Sequence, residues 1–449
     1  MGDAEQRAGG HPWGRHALPA AVIVALGLGI WVRPQPPAFA GVDAACYARV
    51  ARELSERPIA EWLEVRLEGA PFHEHPPLAF WLEALAFRVG GASAASATAL
   101  ARLYASLLAL LVFLIGRRLA GDRVGLLSAA ALLALSGFLF ESQNAMLELP
   151  LSVALSAGLL ALLATARRPG WGYVGLALAT AAAVLIKGPP ALLLAPLALA
   201  AGWLGILSRR AGVVASCVVL MAVVMALGGL EGARHAAHLP SFLGDYLPRR
   251  VLQFGLLGRD EPATSPLFYL RHLWRWYAPA LLLLPLSVIL RRREERDLLT
   301  LAWLWAAALV LAFSLAGKRS YWFIHPITPA AAGWMGVVLH RALPARWERA
   351  VAAALGVGCL AYLVGVLLSV DLQRATDSEQ AAIARSTPPS FDAATPRQVA
   401  HCGRLGTWRA THLFGFYWRA RLLPCTSEAP YRFDGAELRR VGRSEPPAR

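Results

Sequence analysis

The chain has 449 residues, of which 57% are hydrophobic and 16% are charged, and its formal net charge is +15. Soluble globular proteins carry about 25% charged residues, so this composition excludes an ordinary soluble domain. The apolar residues come in blocks of roughly 15–20, which is long enough for a helix to cross the core of a bilayer. The sequence therefore predicts an all-α membrane protein with many spans.

Eleven apolar blocks are candidate transmembrane helices. The first, Ala17–Val32, is followed by prolines and by Ala38-Phe-Ala40, so it also fits a signal peptide with a small-residue cleavage site. The others lie at 98–115, 124–140, 149–165, 171–186, 189–207, 211–230, 276–290, 298–316, 321–339 and 350–370. Between the first two blocks, Tyr47–Glu56 and Ile59–Glu68 have the helical charge spacing of amphipathic surface helices.

The loops between the blocks alternate in charge. One set is rich in Arg, and the positive-inside rule places it in the cytoplasm, together with the N-terminus. This set lies at 117–123, 167–168, 209–210, 291–296 and 341–349. The high net charge thus indicates orientation in a membrane, of the bacterial inner-membrane type, and no nucleic acid partner is predicted. We expect a transmembrane domain over 1–370, with outer loops 33–97 and 231–275, and a periplasmic tail or small domain over 371–449.

Acids and unusual bases collect on the outer face of this topology. They are Asp43, Glu74, Glu141, Glu148, Lys187 and Lys318, and the last two are the only lysines among 44 basic residues. An ionisable residue at the end of a span usually faces a cavity or water, because burying it in lipid is costly. Each one alone fits a solvated helix end, whereas the whole group predicts a shared polar cavity. In the tail, Cys402 and Cys425 can pair if the tail lies outside the cytoplasm.

Several short motifs occur in a characteristic order along the chain. They are Asp43-x-x-x-Tyr47, Pro71-Phe-His-Glu74-His-Pro-Pro-Leu-x-x-Trp81, Glu148-Leu-Pro150 and Lys187-Gly-Pro189. In these motifs the sequence resembles the polyprenyl-phosphate-sugar-dependent glycosyltransferases, which include the aminoarabinose transferases of lipid A and the protein O-mannosyltransferases. The resemblance covers about residues 17–340. It implies a GT-C fold of about 11–13 transmembrane helices and a lipid-linked sugar donor.

The resemblance also implies roles for individual residues. Asp43 matches the catalytic acid that acts as general base or orients the acceptor, and Glu74 and Glu148 match further acidic positions of the site. Lys187 matches a phosphate-binding lysine, and Lys318, Tyr321 and His325 match a later Lys…Tyr…Pro segment. His75 stands where the family has Lys, so either His75 binds phosphate when it is charged, or Glu74 with His73 or His75 holds a divalent metal ion. No other cofactor is implied.

The loop 231–275 adds arginines among aromatic residues, of which Arg259 and Arg271 are candidates for binding the donor or a phosphorylated acceptor. An interfacial belt that only anchors the protein has the same composition. The sequence as a whole predicts a membrane glycosyltransferase that moves a sugar from a polyprenyl phosphate to a lipid, glycan or protein acceptor. The alternatives are a transporter or lipid flippase, which would place charges in a midspan cavity, and a membrane scaffold without catalysis.

Overall fold

The computed structural model describes residues 13–32, 39, 43–257, 265, 267–289, 293–317, 319–344, 397–403, 407–427, 429, 431–434 and 438–440, with isolated positions between 347 and 383. Two predicted site residues, Arg259 and Lys318, lie outside these ranges. So do most of the predicted span 350–370 and two residues of the signal-peptide motif, Ala38 and Ala40.

Helices make up most of the described chain. In chain order they are α1 Trp13–Gly27, α2 Ala44–Ser55, α3 Leu78–Gly90, α4 Ala94–Ala120, α5 Asp122–Ala131, α6 Ser136–Glu141, α7 Glu148–Ala164, α8 Pro169–Lys187, α9 Leu194–Trp203, α10 Arg209–Ala236, α11 Phe242–Asp245, α12 Phe268–Ile289, α13 Arg293–Leu315, α14 Thr328–Ala342 and α15 Thr407–Trp418. Tight turns at Ile59–Glu61, Leu132–Ala134, Pro189–Leu193 and Tyr321–Ile327, and wider helical turns at Leu28–Val32 and Tyr246–Leu256, extend or join them.

Eight of the predicted membrane blocks coincide with apolar helices of the described chain. Four of these are long and apolar enough to cross a bilayer, namely Ala94–Arg118, Pro169–Lys187, Arg209–Ala236 and Tyr321–Ala342. The shorter four are Leu18–Val32, Glu148–Ala164, Pro189–Trp203 and Leu299–Leu315. The block predicted at 276–290 falls in α12, which is kinked at Tyr277 and contains two prolines.

The block predicted at 124–140 is not one continuous helix. α5 ends at Ala131, and Leu135 takes an extended conformation with φ −96° and ψ 103° before α6 begins at Ser136. Ser and Gly, which open α6, are poor helix formers in an interior position. The break brings the end of α6, with Glu141, and the start of α7, with Glu148, to the same end of the bundle.

The segment between the first two predicted spans contains one of its two predicted amphipathic helices. α2 forms over most of Tyr47–Glu56, although most of its residues are buried rather than lying on a surface. The helix predicted over Ile59–Glu68 is wrong, because this segment is a short turn followed by the hairpin β1 (Arg66–Leu67) and β2 (Ala70–Pro71). Glu68 and Gly69 form its turn with φ of 54° and 79°, a left-handed conformation that a continuing helix cannot contain.

The C-terminal part of the described chain forms a small unit with a four-stranded sheet. Its strands are β3 Gln398–His401, β4 Arg421–Pro424, β5 Tyr431–Phe433 and β6 Leu438–Arg440, in the spatial order β4-β3-β5-β6. β3 is parallel to both of its neighbours, and β6 is antiparallel to β5. α15 connects β3 to β4 and packs Phe414 on Phe433 in the sheet. A disulfide joins Cys402 to Cys425.

Candidate active site

A cavity of about 610 Å³ lies between the end of α8, the turns 189–193, 246–256 and 321–327, and the helices α9 and α13. One part of its wall is polar and consists of His75, Lys187, Tyr246 and Arg250. The rest is apolar, and its residues are Pro189, Pro190, Leu192, Leu193, Pro196, Val251, Gly255, Ala308, Leu309, Ala312, Phe313, Ala316 and Phe323. Leu192 is 41% exposed, so the apolar part of the wall reaches the surface of the bundle. The cavity therefore combines a cationic end with a long hydrocarbon-like wall.

Lys187 is the last residue of α8 and reaches the cationic end of the cavity. It forms a buried ion pair with Glu148, the first residue of α7, and its Nζ lies 4.8 Å from the centre of the Phe323 ring. Gly188 follows with φ +73°, and a Cβ there would collide with the Tyr246 hydroxyl group. Only glycine thus lets the chain turn away at this point while Tyr246 packs against it.

His75 and Glu74 precede α3 and contact the helical turn that carries Arg250. The Tyr47 hydroxyl oxygen lies 3.0 Å from His75 Nε2, within hydrogen-bond distance. Arg250 Nη2 is 3.5 Å from the same nitrogen, and Arg250 Nη1 is 3.2 Å from Glu74 Oε2. One guanidinium group therefore links both residues of the predicted motif to the cavity.

Asp43 lies at the N-terminal end of α2, one turn before Tyr47, whose backbone N–H donates to the Asp43 carbonyl at 2.9 Å. Burial raises the pKa of Tyr47, and the charges of Asp43 and then Glu148 raise it further. Both carboxylates therefore lie close enough to the Tyr47 hydroxyl group to act on it electrostatically. The predicted acids from α2 and α7 are brought to the same site.

A second buried pair lies beside the first. His325 Nδ1 is 2.8 Å from Glu141 Oε1, and both side chains are at least 97% buried. The charges of Glu141 and His325 both act on Glu148, so the two pairs are neighbours. The position of His325 differs from the prediction, because it is enclosed by Glu141, Trp276 and Tyr277 and is not part of the cavity wall.

Two other predicted phosphate-binding residues also lie away from the cavity wall. Tyr321 stacks on His272 and on Trp276, with ring centroids 5.3 and 6.0 Å apart. Arg271 is an exposed residue near the start of α12. The structure therefore brings Glu74, His75, Glu148 and Lys187 to the polar end of the cavity, with Asp43 one helical turn before Tyr47. It leaves Tyr321 and Arg271 away from the cavity wall.

The residues suggested for a metal site have other partners. His73 Nδ1 is 3.3 Å from Asp245 Oδ2, and its Nε2 is 3.2 Å from Arg234 Nη2, so both ring nitrogens are engaged. Burial, and then the charge of Arg234, lower the pKa of His73. Glu74 instead pairs with Arg250. Within the ranges described above, no group of three or more His, Cys, Asp or Glu side chains is arranged to hold a metal ion.

Sequence reasoning missed several residues of the site. Arg250 was one of many arginines in the loop 231–275, and Tyr246, four residues earlier, faces the same cavity. This spacing of one helical turn, combined with the Lys187-Gly188 turn that Tyr246 contacts, was the available signal. Arg249 directly precedes Arg250 but does not line the cavity. Its side chain is 75% exposed and forms an ion pair with Asp245, with an Nε–Oδ1 distance of 2.8 Å.

Comparisons with known proteins show which sequences and folds this chain resembles. Residues 74–228 match the family model described as dolichyl-phosphate-mannose-protein mannosyltransferase. Among curated protein sequences no match was found.

Solved structures with the same fold are similar over nearly the whole chain. ArnT from Cupriavidus metallidurans bound to undecaprenyl phosphate matches with a TM-score of 0.64 and 19% identity, covering 92% of this chain and 85% of that one. Its apo state matches with a TM-score of 0.63. The archaeal oligosaccharyltransferase AglB from Archaeoglobus fulgidus, in complex with an inhibitory peptide and a dolichol-phosphate, matches with a TM-score of 0.57 and 13% identity, covering 92% of this chain and 64% of that one.

These findings confirm the resemblance predicted from the sequence, the helical membrane fold and the enzyme class. Residues 74–228 thus match the family model of the dolichyl-phosphate-mannose-protein mannosyltransferases, and the chain has the same fold as ArnT and AglB.

Proposed function

We propose that the protein transfers a sugar from a polyprenyl-phosphate carrier to a lipid, glycan or protein acceptor on the outer face of the membrane. The observation that carries this proposal is the cavity with a cationic end and an apolar wall. A polyprenyl phosphate has the matching shape, with an anionic headgroup on a long hydrocarbon chain. Two similar structures support the same ligand class. ArnT was solved with undecaprenyl phosphate, and AglB was solved with a dolichol-phosphate.

The headgroup would lie at the polar end. Arg250 offers a planar fork of N–H donors, which suits a phosphate group, and Lys187 adds a point charge. Both cations already have carboxylate partners, Glu74 and Glu148 respectively, so their side chains are held in place before the donor arrives. His75 lies between Tyr47 and Arg250 at the same end.

The apolar wall would hold the first isoprene units of the carrier. Its residues come from the turns 189–193, 246–256 and 321–327 and from α9 and α13, and they bring no charged group to that part of the cavity. The carrier tail already lies in hydrocarbon within the leaflet, so the wall contributes van der Waals packing rather than a hydrophobic driving force. The wall also sets the direction of the ligand, since only one end of the cavity can neutralise a phosphate.

The reaction would be an in-line displacement at the anomeric carbon. The acceptor hydroxyl oxygen forms a bond to that carbon, and the bond from the carbon to the phosphate oxygen breaks. Its electron pair leaves with the polyprenyl phosphate, whose developing charge Arg250 and Lys187 stabilise. Asp43 accepts the proton of the acceptor hydroxyl group, as a general base, or orients that group. Each sugar transferred therefore releases one polyprenyl phosphate.

We propose a bacterial-type inner membrane as the location, with the N-terminus cytoplasmic and the C-terminal unit periplasmic. Two observations support this orientation. Arginine-rich loops lie at the ends of the helices opposite to the cavity, for example Arg117 and Arg118 at the end of α4. The disulfide of the C-terminal unit is of a kind that persists in oxidising compartments.

The test uses purified protein in lipid nanodiscs with radiolabelled polyprenyl-phosphate sugars. We expect transfer of label and release of free polyprenyl phosphate in equal amounts, and loss of both in Asp43→Asn and Lys187→Ala. Arg250→Ala should weaken donor binding by about 10-fold or more, since a charge-assisted hydrogen bond contributes about 1.5–3 kcal/mol. Arg249→Ala is the matched control and should bind the donor like the wild type.

The competing function, a transporter or lipid flippase, predicts a different result. The sugar would stay on its carrier, and label would move across the bilayer of a sealed liposome without release of polyprenyl phosphate. That outcome, or full transfer by both Asp43→Asn and Lys187→Ala, would overturn the proposed function.

A further inference from the structure

The helix that carries Asp43 and Tyr47 is buried on nearly all sides. Nine of the twelve residues of α2 are buried and three, Arg52, Glu53 and Ser55, are partly exposed, although the helix carries several charged side chains. Cys46, between the two site residues, is 2% exposed. Charged residues at several positions of a buried helix need polar partners or space around them. The C-terminal unit packs over this helix and leaves room for its charged side chains.

α15 lies directly against α2. At the contact, Gly415 faces the guanidinium group of Arg49, and a Cβ at this position would overlap with that group. Arg49 is only 8% exposed and is held by ion pairs with Glu53 Oε1 at 3.3 Å and with Glu68 Oε1 at 2.7 Å. The guanidinium group is held by two carboxylates and cannot easily move aside. The absence of a Cβ at Gly415 therefore gives the two helices the space they need to approach closely.

Apolar and polar contacts extend this interface on both sides of Gly415. The Phe416 ring packs on Phe39 and Phe87, with centroids 5.0 and 6.0 Å apart, and the Arg52 guanidinium lies 5.6 Å from its centre. His412 is 3% exposed, and burial, followed by the charge of Arg49, lowers its pKa to about 4. An uncharged His412 at neutral pH is compatible with the nearby Arg49. Beyond the end of α15, Arg419 Nη2 is 2.8 Å from Glu56 Oε1.

We propose that α15 is a positioning element of the active site, which holds α2 through the contact of Gly415 with Arg49 and thereby sets Asp43 against the donor. The inference rests on the proposed function, because it assigns a consequence for transfer. The phosphate-binding cations come from α8 and from the turn 246–256, whereas α15 packs mainly against α2 and β4. Displacing α15 should therefore impair the step that needs Asp43 and leave donor binding nearly intact.

Cys46 provides a direct reporter of this docking. In a background with Cys217→Ser and Cys359→Ser, it is the one cysteine left outside the Cys402–Cys425 disulfide. The test compares Gly415→Leu with the wild type in nanodiscs. It measures the rate at which a maleimide labels Cys46, the kcat of transfer and the Kd for undecaprenyl phosphate. Gly415→Ala serves as a smaller perturbation in case the larger one does not fold.

We expect Gly415→Leu to raise the labelling rate about 10-fold and to lower kcat about 10-fold, with Kd changed less than twofold. Combining it with Arg49→Ala vacates the space beside α2 and should restore part of kcat and slow labelling again. The positioning role is wrong if labelling rises while kcat stays unchanged, if neither changes, or if Kd rises as much as kcat falls. If the wild type neither binds the carrier nor transfers sugar, the proposed function fails, while Cys46 labelling still reports whether α15 holds α2.

Discussion

Lys187 and Glu148 form an ion pair across the polar end of the cavity, with 8% and 2% of their side chains exposed. Replacing Lys187 by Met would leave the Glu148 carboxylate buried without its cation, which typically costs about 3–5 kcal/mol. We expect this variant to lose transfer and to unfold at a clearly lower temperature in detergent. Thermal unfolding followed by tryptophan fluorescence checks the second point.

The double variant Lys187→Met with Glu148→Gln separates stability from activity. It removes both charges at once, so most of the lost stability should return, while transfer stays absent because the phosphate has lost a cation. A double variant that melts as low as Lys187→Met, or that transfers sugar like the wild type, would contradict this account of the pair.

The hydrogen bond between Tyr47 and His75 gives a second prediction. Tyr47→Phe removes the hydroxyl group that lies 3.0 Å from His75 Nε2 and leaves the ring in its contacts with Phe80 and His75. A neutral hydrogen bond contributes about 0.5–1.5 kcal/mol, so kcat should fall about 2- to 10-fold. His75→Ala measured in both backgrounds gives the coupling. Additive effects of the two substitutions would show that the hydrogen bond does not connect them.

Glu83 gives a prediction for the dependence of stability on pH. It lies in α3, outside the membrane-spanning helices, and is 6% exposed, with no hydrogen-bond partner for its Oε1 among the described residues. Burial raises its pKa to about 8, from a value near 4.5 in the unfolded chain. Below pH 4.5 the group is protonated in both states. As the pH rises to 8, only the unfolded state loses the proton, so stability falls.

Glu83→Gln cannot ionise and should escape this loss. Relative to the wild type, its free energy of unfolding should improve by about 2 kcal/mol or more between pH 5 and pH 8. Unfolding midpoints at these two pH values test the effect, and Glu61→Gln, in the neighbouring exposed turn, is the control. If Glu83→Gln changed the free energy of unfolding equally at both pH values, the cause would be a change in packing and not the ionisation of Glu83.

The apolar wall gives a prediction about chain length of the carrier. Ala312→Phe adds an aromatic ring to the cavity wall and should weaken binding of undecaprenyl phosphate about 10-fold, because the isoprene units lose space. A short-chain polyprenyl phosphate should be affected less. Leu311→Phe is the matched control, since the adjacent Leu311 is 61% exposed and does not line the cavity. Equal losses for the long and short carriers would mean that the wall does not hold the chain.

The sequence predicted the fold class and the core of the site better than its periphery. Glu148 and Lys187 lie at the ends of predicted spans, Asp43 and Glu74 lie in the predicted outer loop 33–97, and helix counting placed all four on one face. The structure brings them together as expected. Such residues are predictable because burying an ionisable group in lipid is costly, so each must face a shared polar space.

The positions of some residues could not be predicted, because they are determined by tertiary packing that no local sequence pattern encodes. Arg249 and Arg250 are adjacent and chemically identical, yet only Arg250 faces the cavity, because the turn 246–256 orients it beside Tyr246. His325 appeared available for phosphate, but Glu141 from a distant helix encloses it. The helix predicted over Ile59–Glu68 failed because the turn at Glu68 and Gly69 overrides the helical spacing of its charges.

The exposed edge of the cavity wall at Leu192 has a consequence for how catalysis is measured. A carrier lipid that enters there travels sideways through the leaflet and never crosses water. Its availability then depends on its mole fraction among the surrounding lipids, so diluting the proteoliposomes in buffer would not slow turnover, whereas adding inert phospholipid would.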